Sequence, residues 1–117
     1  MSSGFLLPAF AQTTAATAAN DAAEQRARAF VEAINSGNRA AWRKFISENF
    51  AKSVLERLPV EERLNNFSRI YDQNRGFTLQ SVRRTKSNEV VASVTSNLTG
   101  LSQELMFMVE EQSPFYL

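Results

Sequence analysis

Hydrophobic periodicity changes at Gly76, and this change limits the folds that the chain can adopt. Before it, apolar residues recur at the three- and four-residue spacing of amphipathic helices. After it, apolar and polar residues alternate, as they do in strands with one buried face. Helices followed by strands favour an α+β domain, with the N-terminal helices packed on one face of an antiparallel sheet.

The part of the chain before Gly76 predicts three main helices, over about 21–36, over 39–47, and from Pro59 to Gly76, with a further helical turn or two before Pro59. Asp21 is expected to cap the first helix, where a carboxylate suits the positive end of the helix dipole. Gly37 suits the left-handed position that ends this helix, and Asn38 can cap the second. The helical spacing assigns to the buried faces Ala23, Ala27, Phe30, Val31, Ile34, Trp42, Phe45, Ile46, Val60, Leu64, Phe67, Ile70 and Tyr71.

The part after Gly76 predicts three strands, over 77–82, 89–97 and 104–110. Residues 83–88 are polar and basic, and they are interpreted as a solvated hairpin turn. Short polar connections of this kind are typical of an antiparallel meander. A further apolar run at 115–117 suggests a final strand that is incomplete in this chain.

The third strand has two different faces. Its alternation predicts that Leu105, Phe107 and Val109 lie under the helices. Met106 and Met108 would then lie on the opposite face, flanked by glutamates. Because methionine adapts to irregular partners, this pair is the best candidate for an interaction surface. An ordinary solvated strand face is an equally good interpretation at this point.

The N-terminal residues indicate a compartment. A short apolar run at 4–11 ends in Ala9-Phe10-Ala11, which has the form of a signal-peptidase site. We interpret residues 1–19 as a truncated signal peptide and a low-complexity linker, and 20–117 as the domain. An unstructured apolar leader is the alternative. The run is too short to span a bilayer, and the signal interpretation predicts a periplasmic or secreted protein.

Composition excludes several kinds of chemistry. The chain has no His and no Cys, so a His-dependent triad, a Cys nucleophile and the usual zinc sites are ruled out. A formal net charge of +1 is not the basic footprint of a nucleic-acid-binding protein. No phosphate-binding loop or nucleophile elbow is present. We therefore predict no catalytic residue, no metal and no cofactor.

Three residues are the best candidates for lining a cavity. Trp42 and Tyr71 are aromatic residues with polar tips, although core packing is the simpler interpretation. Asp72 follows Tyr71 and, apart from Asp21, is the only aspartate in the chain. Asp72 is better explained as a solvated residue near a helix end than as a general base, since nothing in the sequence indicates a desolvating pocket.

The chain from about Asp21 to Leu117 resembles the NTF2-like superfamily of SnoaL-like, cystatin-like α+β domains. The resemblance is carried by Ala29-Phe-Val-Glu-Ala-Ile-Asn-Ser-Gly-Asn38, by residues 42–50, and by Pro59-Val-Glu-Glu-Arg-Leu64. It implies a cone in which the helices cover one face of a curved sheet. It most resembles the accessory domain that precedes the catalytic domain of secreted bacterial serine hydrolases and peptidases. The superfamily includes isomerases and cyclases as well as non-catalytic members, so the resemblance does not decide function.

Together these observations favour a non-catalytic binding or accessory domain. Its partner would be the catalytic domain of a hydrolase, a second copy of the chain, or a small apolar ligand; neither nucleic acid nor a membrane span is expected. One alternative is a small isomerase- or cyclase-type enzyme that uses Asp72 and Tyr71 in a cavity. Another is a fragment of a longer hydrolase precursor with no role of its own.

Overall fold

The computed structural model describes the backbone of residues 3–117 and the side chains of residues 17–117. Helices precede strands, and the strands form an antiparallel sheet in the order β1-β2-β3, so the α+β prediction is confirmed. The elements are α1 (Ser3–Ser36), α2 (Arg39–Asn49), α3 (Lys52–Arg57), α4 (Val60–Asn74), β1 (Phe77–Lys86), β2 (Glu89–Ser96) and β3 (Ser102–Met108).

The first helix begins earlier than predicted. α1 continues through Asp21, so the expected N-terminal cap at that residue is wrong. The Asp21 carboxylate pairs instead with Arg84 on β1. Alanine is the strongest helix former, so the Ala- and Thr-rich stretch can extend a helix that is held by packing from Ala19 onward. The side chains of the apolar run at 4–11 lie outside the described residues, and the signal-peptide interpretation stays a prediction.

The connection between α1 and α2 is as the sequence predicts. Gly37 has a φ of +61°, and a Cβ there would come within 2.9 Å of the Tyr71 ring. Asn38 caps α2, because its Oδ1 accepts hydrogen bonds from the N–H groups of Ala40 and Ala41. This tight turn brings α2 back against α1.

The core lies between the sheet and the helices. α1 packs on all three strands, while α2 and α4 pack on α1 and on each other. The Phe30 ring links the layers, with centroid distances of 5.3 Å to Phe67, 5.4 Å to Phe107 and 5.9 Å to Phe45. The buried members of the core are Ala19, Ala23, Ala27, Val31, Ile34, Trp42, Phe45, Ile46, Leu64, Phe67, Phe77, Val90, Ala92, Val94, Phe107 and Val109.

The first hairpin is longer than predicted. Residues 83–86 belong to β1, and only Ser87 and Asn88 form the turn, so the basic residues are not a hairpin tip. Arg83 and Arg84 are adjacent in a strand and point to opposite faces. Pairing with β2 holds both residues in the strand, since strand propensity depends strongly on tertiary context. A register shift between Arg84 and Lys86 adjusts the strand just before the turn.

The end of the chain returns to the helices instead of forming the expected strand. Within residues 109–117 the structure has no strand. The N–H of Leu117 donates to the Asn49 carbonyl at 2.8 Å, and the N–H of Ala51 donates to the Leu117 carbonyl at 3.1 Å. We call residues 113–117 the C-terminal strap. Arg26 holds it by donating to the carbonyls of Pro114 and Phe115 at 2.7 and 2.6 Å.

Candidate functional site

The structure brings two of the three predicted cavity residues together. The rings of Trp42 and Tyr71 are 5.9 Å apart. Trp42 is buried, and its Nε1–H donates to the Ala33 carbonyl at 2.8 Å, so its polar tip is used to hold α2 against α1. Tyr71 is half-buried and packs against the Gly37 turn. Both aromatic residues therefore have structural partners that account for their positions.

Asp72 does not join this pair. Its side chain is exposed on α4. A carboxylate that acts as a general base in an isomerase-type site needs an enclosed, desolvated setting close to the substrate. A groove of about 290 Å³ does lie between α1 and α2, and Ala29 and Ala33 are among the residues that line it. Neither Asp72 nor Tyr71 lines it, so the groove does not supply the predicted constellation.

The sheet has one face that the helices leave uncovered, and we call it the open face. Val90, Ala92 and Val94 of β2 point into the helical core. The residues between them point the other way. On β3 the open face carries Met106 and Met108, which are 65% and 48% exposed. The predicted division of β3 into two faces is therefore observed, with Phe107 buried beneath the helices.

An apolar strip crosses the open face. Val91, on the central strand, is opposite Arg83 of β1 and Met106 of β3. It is only 8% exposed, yet it is not part of the helical core. Neighbouring side chains on the same face shield it, as is usual for the middle strand of a sheet. Val91, Met106 and Met108 together form the apolar part of the face.

One ion pair spans the open face. Arg83 Nη1–H donates to Glu104 Oε2 at 2.9 Å. This contact joins β1 to β3 across β2. This hydrogen bond, with the attraction of the opposite charge, lowers the pKa of Glu104 and raises the pKa of Arg83. Both side chains are exposed, so the pair adds little to stability. It does give the face a positive side and a negative side.

Sequence reasoning missed Glu89, the first residue of β2. Its side chain is almost fully buried, directly opposite Met108. Thr85 Oγ1 donates to Glu89 Oε2 at 2.7 Å, and Lys86 Nζ lies 3.9 Å from Oε1. Oε1 has no hydrogen-bond partner among the described residues. The available signal was its place at the start of the central strand, where neighbours on both sides shield a side chain.

Other kinds of site are not found in the described part of the chain. Among residues 17–117, no three Asp, Glu, His or Cys side chains converge as metal ligands would. None of the helices in the described part of the chain has the length and hydropathy needed to span a bilayer. The open face is therefore the candidate site in the described part of the chain. Comparisons with protein-family models, with curated proteins and with solved structures find no match for this chain.

Proposed function

We propose that this chain is a non-catalytic binding module whose contact surface is the open face of its sheet. The observation that carries the proposal is the exposure of Met106 and Met108 on the face that the helices leave uncovered. Two large apolar side chains held side by side on a rigid strand favour removal from water by a partner. Methionine suits this role, because its flexible thioether adapts to the shape of the surface it meets.

The surroundings of the two methionines support a contact surface over a solvated strand face. Val91 adds apolar area next to Met106 and is already largely withdrawn from water. The Arg83–Glu104 pair borders the apolar strip with charge of both signs. An apolar centre with a polar rim is the usual anatomy of a protein interface. The face is therefore suited to a protein partner with a mixed polar and apolar surface.

The resemblance to NTF2-like domains supports the accessory form of this proposal. In that form the chain is a cone-like NTF2-type domain of a secreted or periplasmic protein. Its partner is the catalytic domain of a hydrolase or a second copy of the chain. A small apolar ligand would be held by the same apolar strip. We do not propose the isomerase alternative, because the exposed Asp72 lacks the enclosed setting that a general base of that type requires.

The test compares two double variants of the 117-residue chain. In the first, Met106→Lys with Met108→Lys places charge on the open face. In the second, Leu98→Lys with Leu101→Lys charges two residues that are equally exposed but lie at the β2–β3 turn. Self-association is measured by light scattering, and binding of an apolar dye, anilinonaphthalene sulfonate, is measured by fluorescence. We expect both signals to fall strongly in the first variant and to persist in the second.

The measurements can contradict the proposal directly. Dye binding and association that are the same in the wild type and in the methionine variant would exclude the open face as the contact surface. Loss of both signals in the turn variant alone would show that the contact surface is at Leu98 and Leu101 and not on the open face. A wild-type chain that neither associates nor binds the dye would remove the binding function. Circular dichroism checks that each variant keeps its secondary structure.

A further inference from the structure

The outer edge of β3 presents unpaired backbone groups in a defined order. The N–H of Ser96 donates to the Leu101 carbonyl, and the N–H of Val109 donates to the Asn88 carbonyl, in the same register that joins β2 to β3. In an antiparallel pair, residues alternate between facing the partner strand and facing away from it. Odd-numbered residues of β3 therefore bond to β2. Their even-numbered neighbours direct their N–H and carbonyl groups to the outer edge.

These outward backbone groups belong to Ser102, Glu104, Met106 and Met108. None of them has a backbone or side-chain hydrogen-bond partner among the described residues. The pairing resumes only beyond the strand, where the N–H of Glu110 donates to the Tyr116 carbonyl of the strap at 2.8 Å. The open edge therefore runs the length of β3 and ends where the strap begins.

The opposite edge of the sheet is held at both ends. On β1, the side chain of Asn35 bonds to both backbone groups of Phe77, and the Asn20 amide donates to the Lys86 carbonyl. α1 supplies both asparagines, so it covers this edge near its two ends. An uncovered strand edge is a template for another strand, and proteins usually protect it when it is not used. Between its ends β1 has two register shifts, and the strand carries three basic residues, which disfavour pairing with another strand; β3 pairs without a shift and carries no basic residue. These differences single out β3.

We infer that β3 pairs antiparallel with β3 of a second copy of this chain, forming a continuous six-stranded sheet across a two-fold axis. The inference goes beyond the proposed function, because the contact is made by the edge of β3 and not by the open face that carries Met106 and Met108. It names the partner, a second copy, and the chemistry that recognises it, a free row of backbone donors and acceptors. The two-fold axis keeps the helices of both copies on the same side of the joined sheet.

Charge selects the register of this pairing. A backbone hydrogen bond between the two copies needs an outward residue of one copy opposite an outward residue of the other. The partner of a given residue therefore changes by two positions from one allowed register to the next, and the centre of the pairing moves by one. A register that places Glu104 opposite its own copy sets like charges against each other, and so does one that places it opposite Glu110. Among the registers that pair at least five of the seven residues of β3, two remain, one centred on Leu105 and one centred on Met106.

The helix-facing side chains decide between these two. Centring on Met106 places the half-buried Leu105 opposite Phe107 of the second copy, which extends the apolar core across the axis. Centring on Leu105 places the polar Gln103 opposite that phenylalanine instead. The Met106 register is therefore favoured, with Met106 paired with itself and Glu104 paired with Met108. Pairing of one short edge buries little surface, so the dimer is weak and reversible.

Cysteine substitution tests the register, because the chain has no cysteine of its own. In a hydrogen-bonded antiparallel pair, opposite Cα atoms are about 5.5 Å apart, within the range that a disulfide bridges. Met106→Cys should therefore form a disulfide-linked dimer on mild oxidation. Glu104→Cys and Met108→Cys should remain monomeric when oxidised separately and should form a mixed dimer when oxidised together. Ser47→Cys, on the exposed side of α2, is the control for random collision.

Several outcomes overturn the inference. If Met106→Cys cross-links no more than Ser47→Cys, the edge contact is excluded. Cross-linking of Glu104→Cys with Met106→Cys would indicate the other register. Equal cross-linking by Met106→Cys and Met108→Cys alone would indicate that two open faces stack against each other. Each result appears as a band on a non-reducing gel.

A proline variant separates the backbone contact from the side-chain contact. Met106→Pro removes an outward N–H without removing a bond to β2, a position where edge strands tolerate proline. Met106→Thr removes the same side chain and keeps the N–H. We expect the proline variant to lose self-association while the threonine variant keeps most of it. If the cysteine pattern fails while dye binding still depends on Met106 and Met108, the inference is wrong and the proposed function stands.

Discussion

Asn35 binds both backbone polar groups of Phe77. Its Nδ2 donates to the Phe77 carbonyl at 2.8 Å, and its Oδ1 accepts from the Phe77 N–H at 2.7 Å. The amide of one side chain therefore takes the place of a neighbouring strand at the start of β1. This contact joins the end of the longest helix to the first residue of the sheet, and Phe77 itself is buried.

Removal of this amide should destabilise the fold. Asn35→Ala leaves the donor and the acceptor of Phe77 without their partner, so we expect a loss of about 2 kcal/mol in the free energy of unfolding. Asn35→Asp keeps the acceptor for the Phe77 N–H but loses the donor, and an intermediate loss is expected. Urea denaturation measures both variants. A loss below about 0.5 kcal/mol for Asn35→Ala would show that water replaces the amide.

The turn that precedes β1 should be intolerant of any side chain. Gly76 has a φ of +97°, and a Cβ there would lie 2.5 Å from Asn35 Oδ1. Gly100 also has a positive φ, but nothing lies within 4 Å of its Cβ position. We expect Gly76→Ala to cost about 3 kcal/mol and Gly100→Ala about 1 kcal/mol. Thermal and urea unfolding compare them, and equal losses would mean that backbone conformation alone matters.

The aromatic centre should depend on Phe30. Its ring lies within 6 Å of the centroids of Phe45, Phe67 and Phe107, so Phe30→Ala removes contacts to two helices and to the sheet at once. We expect a loss of about 3 kcal/mol, typical of a large truncation in a core. Leu98→Ala, at an exposed turn, is the control and should change little. The prediction fails if both variants unfold at the same urea concentration.

Arg26 should hold the C-terminal strap in place. Its guanidinium donates to the carbonyls of Pro114 and Phe115 and to Asn49 Oδ1, three acceptors that a lysine cannot reach together. Arg26→Lys should therefore cost about 2 kcal/mol and speed hydrogen exchange at the N–H of Leu117. Arg28→Lys, whose ion pair with Glu24 is exposed, is the matched control. Unchanged exchange at Leu117 would show that the strap holds without Arg26.

The ion pair on the open face should be visible in a titration. Because the Arg83 hydrogen bond lowers the pKa of Glu104, the carboxyl should protonate below the ordinary range of a glutamate. The contribution of the pair is complete above that range and is lost as the pH falls through the lowered pKa. A carboxyl-carbon NMR titration should show the low midpoint, and Arg83→Gln should return it to the ordinary range. If Arg83→Gln leaves the titration midpoint of Glu104 unchanged, the two side chains are not paired in solution.

Local pattern was enough to predict much of the fold. The buried face of α2, the Asn38 cap, the Gly37 turn and the two faces of β3 all follow from residues close together in sequence. The predictions were wrong where distant residues decide. α1 begins before Asp21 because the helix is held by packing from Ala19 onward. β1 continues through Arg83 because pairing with β2 and two ion pairs support the strand there.

Hydrophobic spacing alone predicts the order of elements and the pair of methionines on one face of β3, because this spacing is a local property. Tertiary contacts leave Asp72 exposed, bury Glu89, and hold β1 at both ends while the edge of β3 stays open. These properties depend on which strand lies in the middle of the sheet and on where α1 crosses it. Such contacts join residues far apart in the chain, and no local pattern records them.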